Sequence, residues 1–109
     1  MKIEFYVLAV LTCLLGTTSV KAEDLILDKV KSKEWDCYVC HRNDEDFIGP
    51  SFSAVRQRYG DKNATQAVID YLAKKTIEGG LGAWGLTPMN SHRQISKGEA
   101  KEIVTLILK

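Results

Sequence analysis

The sequence predicts a small all-α domain, and three observations carry that prediction. Apolar residues recur at helical spacing, most clearly at Ala100, Ile103, Val104 and Ile107, which would share one face of a terminal helix. Residues that open helices stand where such stripes begin, and glycines or Gly-Pro stand where they end. The chain shows none of the alternating or continuous apolar runs of a strand, no repeat and no low-complexity tract, so helices alone must enclose the core.

Each element follows from local pattern. Asp24 to about Glu34 places Leu27 and Val30 at helical spacing among charged residues, which predicts a short amphipathic helix. After Ile48-Gly49-Pro50, Ser51 opens a second helix carrying Phe52, Val55 and Tyr59, and Gly60 ends it. Asn63 with Gln66 reads as the capping pair of a third, striped by Val68, Leu72 and Ile77 and stopped at Gly79-Gly80. Gly79 to His92 is then an irregular loop containing Trp84 and Pro88-Met89. Ser96 and Glu99 form a capping box for the fourth helix, which ends the chain.

The chain has 109 residues, enough for one domain. Lys2, the apolar run Phe5 to Leu15 and Val20-Lys21-Ala22 have the order of a secretory signal, so residues 1–22 are expected to be cleaved and 23–109 to form the domain. The run is shorter than the roughly 20 residues of a bilayer span, and Thr12 is a poor residue to precede a lipidated Cys13. Removing 22 of 109 residues leaves 87, a size at which a purely proteinaceous core is marginal. The whole chain has 15 basic and 14 acidic residues, and removing Lys2, Lys21 and Glu4 leaves 13 of each, which argues against a nucleic-acid partner. Local runs remain, acidic at Asp44-Glu45-Asp46 and basic at Arg56, Arg58 and Lys62, and such runs are usually solvated surface.

The chemistry concentrates in Cys37-Tyr38-Val39-Cys40-His41, the C-x-x-C-H string of covalent c-type haem attachment. On one helical turn Cys37 and Cys40 share a face, so two thiols can add to the two vinyl groups of one porphyrin, and His41 can reach the iron. A zinc site would need four ligands, and outside this cluster only Cys13 and His92 are on offer. A thioredoxin-like pair would need a βαβ setting that the chain does not supply. A haem also replaces missing core, so the chain without it is expected to be largely unfolded. Met89 is the sole methionine left after processing, and its soft thioether in a loop is the candidate second ligand; as an alternative it merely fills the core.

With the motif, Ile48-Gly49-Pro50, the loop Gly79-Gly80-Leu81-Gly82-Ala83-Trp84-Gly85, Pro88-Met89 and a terminal helix in this order, the chain resembles the class I cytochromes c, in their small bacterial cytochrome c-551-like branch. The resemblance implies about four helices wrapped around one covalently attached haem c, with the first and last helices packed together. It implies His41 and Met89 as axial ligands, the Pro50 carbonyl as acceptor for His41, and Trp84 near a haem propionate. Trp35-Asp36 before Cys37, Asn90-Ser91-His92-Arg93 after Met89 and aliphatic Leu106 depart from the family's usual residues.

An iron with both axial positions filled has no open site for a small-molecule substrate, so the expectation is an electron carrier and not an enzyme. The resemblance implies a soluble periplasmic monomer that meets redox proteins in transient complexes, taking electrons from a membrane donor complex and passing them to a terminal reductase, oxidase or peroxidase. The alternatives are a haem-based small-ligand sensor from which Met89 detaches, and a fixed haem subunit of a larger redox enzyme.

Overall fold

The computed structural model describes residues 20–109, in which α1 (Ala22–Ser32), α2 (Cys37–Cys40), α3 (Phe52–Tyr59), α4 (Gln66–Glu78) and α5 (Lys97–Ile107) follow in order, with a 3₁₀ turn at Asp61–Asn63. Four of the helices occupy the predicted segments, and the additional α2 is the turn that carries Cys37 and Cys40. The Phe5 to Leu15 run and Cys13 lie outside the described residues. Among the described residues no helix is long and apolar enough to cross a membrane.

Helix α5 is the hub. It packs most extensively on α4, then on α1, then on α3. Its start is closed by the expected box: the Glu99 N–H donates to Ser96 Oγ and the Ser96 N–H to Glu99 Oε1, both at 3.1 Å, satisfying amides that a helix end leaves bare. One of its faces joins Ile26 and Val30 of α1 and Phe52 of α3 around Ile103, with Leu106 packed at the edge; another joins Ala73 of α4 and Ile95 around Ala100. Trp35 packs against both clusters, so the bulky residue before the motif fills the joint between them. Fully burying a side chain such as Ile26 or Phe52 is worth about 1.5–3 kcal/mol.

Two local expectations differ from the structure. On α1 the buried stripe is Ile26 and Val30, with Leu27 only half-buried. Three consecutive apolar residues, Leu25-Ile26-Leu27, cannot be phased by periodicity, and the packing against α5 chooses among them. Helix α4 is capped by Thr65, whose Oγ1 accepts from the Val68 N–H at 3.3 Å, instead of by Asn63. Asp61 has a left-handed backbone (φ 52) that inserts the 3₁₀ turn, leaving Asn63 to donate to the Arg58 carbonyl and Gln66 to donate to Asp70.

The basic run also divides. Arg56 Nε donates to the Ile107 carbonyl at 3.0 Å, placing a cation at the C-terminus of α5, whereas Arg58 turns to the glycine-rich loop. Gly60 makes the close approach of α3 to this end possible, because a Cβ there would stand 2.5 Å from the Arg56 carbonyl and 3.1 Å from that of Leu108.

Candidate functional site

Cys37, Cys40, His41, Pro50, Trp84 and Met89, distant in sequence, all line one cavity of about 530 Å³ between α2, α3, α4, α5 and the loop after α4. Its volume lies inside the roughly 300–1,000 Å³ of ligand pockets.

The wall after α2 is built locally. The His41 N–H donates to the Cys37 carbonyl at 2.9 Å and the Gly49 N–H to the Cys40 carbonyl at 2.8 Å, folding residues 41–49 back on the motif. The Pro50 carbonyl then lies 2.7 Å from His41 Nδ1. A carbonyl only accepts, so Nδ1 carries the proton and Nε2 keeps its lone pair. The ring is stacked on Phe52 with centroids 5.2 Å apart, and Gly49 presses close: a Cβ there would stand 2.7 Å from His41 Cε1. Downstream, the Ser51 N–H donates to Asp46 Oδ1 at 2.8 Å, so one member of the acidic run braces this turn, and Ser51 Oγ caps α3.

Neither cysteine is paired in a disulfide. Burial, with the neighbouring Asp36 charge adding to it, pushes the Cys37 thiol up to about 11. Among the described residues, no three His, Cys, Asp or Glu side chains converge as a metal cage.

Met89 is delivered from the far side of the sequence. Its N–H donates to the Gly80 carbonyl at 2.8 Å and the Gly80 N–H to its carbonyl at 3.0 Å, an isolated antiparallel bridge at the end of α4. Gly79 makes the turn into that bridge with φ 72, and a Cβ on it would stand 2.4 Å from the Met89 carbonyl. Only glycine tolerates both demands.

Trp84 sits at the rim, 40 % exposed. The Arg58 guanidinium covers its ring at 3.6 Å from the centroid, and Arg58 Nη1 donates to the Ala83 carbonyl at 3.0 Å. One α3 side chain thus holds the glycine-rich loop by a cation–π contact and a hydrogen bond. Sequence reasoning missed this pairing, along with the Gly80–Met89 bridge and the close packing of Gly49. Their residues were visible in the sequence, but their partners are set by the tertiary fold.

Two thiols, an imidazole with a free Nε2 and a thioether, around a cavity walled by Phe52, Val55, Leu72 and Ile107, are the donor set and the apolar surroundings that a covalently held haem requires. No protein-family profile matches the chain. Individual proteins do. It is 32% identical over 92 residues to cytochrome c-551 of Allochromatium vinosum, covering 84% of this chain and 95% of that protein. It is 38% identical over 72 residues to cytochrome c-551 of Azotobacter vinelandii, covering 66% and 83% respectively. The crystal structure of wild-type Nitrosomonas europaea cytochrome c552 superimposes with a TM-score of 0.65 at 30% identity, over 76% of this chain and 96% of that one.

Fold and site together define a c-type cytochrome: one covalently bound haem c in an all-α domain that carries electrons and is not an enzyme. The chain belongs to the small class I cytochromes c, with the cytochromes c-551 and c-552.

Proposed function

We propose that this cytochrome is exported, loses residues 1–22, and serves in the periplasm as a soluble one-electron shuttle whose iron is bound by His41 and Met89. The observation that carries this reading is that the two side chains line one cavity from independent anchors, His41 from Pro50 and Met89 from Gly80. The haem supplies the ferrous/ferric couple. Cys37 and Cys40 hold it as thioethers. The bond from His41 Nδ1–H to the Pro50 carbonyl orients the imidazole and makes Nε2 a stronger donor. Met89 would supply a soft thioether as the second ligand, a pairing with histidine that raises the reduction potential of a haem. Trp84, steadied by Arg58, would offer its indole N–H to a haem propionate.

Partners meet the apolar rim of the cavity, where Phe47, Ile48, Leu81 and Trp84 are exposed. With 13 acidic and 13 basic residues in 23–109, long-range steering is weak, so complexes with a membrane donor and a terminal reductase, oxidase or peroxidase form through this rim and release quickly.

Periplasmic protein is expected to begin at Glu23 and to be heavier by one haem in mass spectrometry. The ferric form should show the weak long-wavelength charge-transfer band of an iron–thioether bond, and the ferrous form should take up carbon monoxide only slowly. Met89→Ala should abolish the band, lower the potential and admit carbon monoxide. An unchanged band and potential in that variant would exclude Met89 as ligand, and rapid carbon monoxide binding by the unaltered protein would favour the sensor alternative.

A further inference from the structure

The stretch after Met89, Asn90-Ser91-His92-Arg93, has no proline to stiffen it, yet the structure ties it down at His92 from three directions. The His92 N–H donates to the Ile77 carbonyl at 2.8 Å. Its Nδ1 lies 3.1 Å from the Thr76 carbonyl. Its Nε2 lies 3.2 Å from Asp36 Oδ1, and the side chain is only 14% exposed. Thr76 and Ile77 belong to the last turn of α4, and Asp36 directly precedes Cys37. One imidazole therefore links the segment that delivers Met89, the helix before it and the start of the haem-attachment turn.

Both atoms that face the ring are acceptors. A neutral imidazole has one N–H, so it can satisfy the carbonyl or the carboxylate but not both, and its second nitrogen then turns a lone pair toward an oxygen. Both contacts are favourable only when His92 is a cation. We propose that His92 is a positioning residue for Met89: an imidazolium strap that holds the Met89 segment against the haem-attachment turn and slackens when the ring loses its proton. The proposal rests on Met89 being the iron ligand. Asp36, from the α2 side, makes the ion-pair contact with the ring; Lys75 on α4 lines the same cavity, and Arg93 follows next in the chain. Because both partners are acceptors, the strap is tighter when the ring is protonated and loosens as pH rises.

The experiment follows the iron–thioether band of the ferric holoprotein and carbon monoxide binding to the ferrous holoprotein between pH 5 and 8. In the unaltered protein, the equilibrium between bound and detached Met89 should shift toward detachment by roughly fivefold as pH rises, the effect of losing one hydrogen bond. His92→Phe keeps a ring but makes neither bond, so it should detach more readily at every pH and show no pH dependence. Asp36→Asn, at an exposed position, should flatten the pH profile, because an amide can donate to a neutral ring and accept from a charged one. A band indifferent to pH in the unaltered protein and unchanged in His92→Phe would overturn the strap. A band missing from the unaltered protein at every pH would overturn the Met89 ligation itself, and the strap with it.

Discussion

The two sides of the cavity are built on opposite principles. The wall carrying His41 closes within a short stretch of chain: besides the bonds of His41 and Gly49, the Phe52 N–H donates to the Arg42 carbonyl at 2.8 Å and the Ser53 N–H to that of Asn43 at 2.9 Å. The Tyr38 hydroxyl adds a bond to Asn43 Oδ1 at 2.8 Å, and the Arg42 guanidinium lies 4.4 Å from the centroid of the Phe47 ring. The side carrying Met89 has few local bonds, the Gly80 bridge and short turns at Gly82–Gly85 and His92–Ile95, and otherwise depends on partners remote in sequence: Arg58 for Ala83 and Trp84, Thr76 and Asp36 for His92. Local loops cost less entropy to close, so the His41 side can form before the helices have docked, whereas the Met89 side exists only when they have. On the proposed ligation, perturbations should therefore release Met89 from the iron well before they disturb His41.

The sharpest test of that asymmetry is Gly79→Ala. Its φ of 72 is costly for a residue with a side chain, and the added Cβ meets the Met89 carbonyl at 2.4 Å, so the bridge must shift. We expect a stability loss of about 3 kcal/mol and disappearance of the iron–thioether band near neutral pH. Haem should remain covalently attached, as mass spectrometry and the reduced spectrum would show. An intact band would mean that the Gly80 bridge does not govern Met89.

The matching change on the other side is Gly49→Ala, which places a Cβ 2.7 Å from His41 Cε1 and 3.0 Å from Nδ1. The imidazole must tilt against Phe52 and strain its bond to Pro50, at a cost of about 2 kcal/mol. Here the iron–thioether band should survive while the reduction potential moves, measured by spectroelectrochemistry. If the band were lost as readily as in Gly79→Ala, the two sides would be coupled and not independent.

This contrast also explains what could be read from the sequence. The helices, the Ser51 cap and the Ser96–Glu99 box are short-range patterns, and the structure reproduces them. All six residues singled out for the site line one cavity, and they could be picked out because the motif is contiguous and Met89 is the one methionine of residues 23–109. The Ile26 register, the Thr65 cap, the Arg58–Trp84 contact and the His92 strap were not legible. Each depends on where one helix sits against another, and no local spacing encodes that. Asn90-Ser91-His92-Arg93 is the instructive case: it stood out only as a departure from the family's usual residues, and the strap depends on Asp36, 56 residues earlier.

The smallest expected effect concerns the scaffold under the Met89 side. Glu99 is held below the usual carboxylate range, first by the Ser96 backbone N–H, then by the Ser96 side chain and Lys33; Asp70 is lowered first by Lys101 and then by Gln66. These groups stand where α5 meets α1 and α4, with Lys33 3.2 Å from Glu99 and Lys101 3.0 Å from Asp70. A carboxylate with a depressed folded value contributes stability above its unfolded value, about 4 for these residue types, and loses that contribution as pH falls through the folded value. Acidification below about pH 4 should thus loosen α5, with the iron–thioether band weakening before the haem spectrum as a whole changes. Both carboxylates are partly exposed, so salt should blunt the lysine part of the effect and leave the backbone part. Glu99→Gln isolates that backbone part: the amide oxygen still accepts from the Ser96 N–H but has no charge to lose, so the variant should be less stable at pH 7 and lose less on acidification, compared by thermal unfolding at pH 7 and at about pH 3.5. An acid sensitivity as large in Glu99→Gln as in the unaltered protein would place it elsewhere than the capping box, with the Asp70–Lys101 pair as the next group to test.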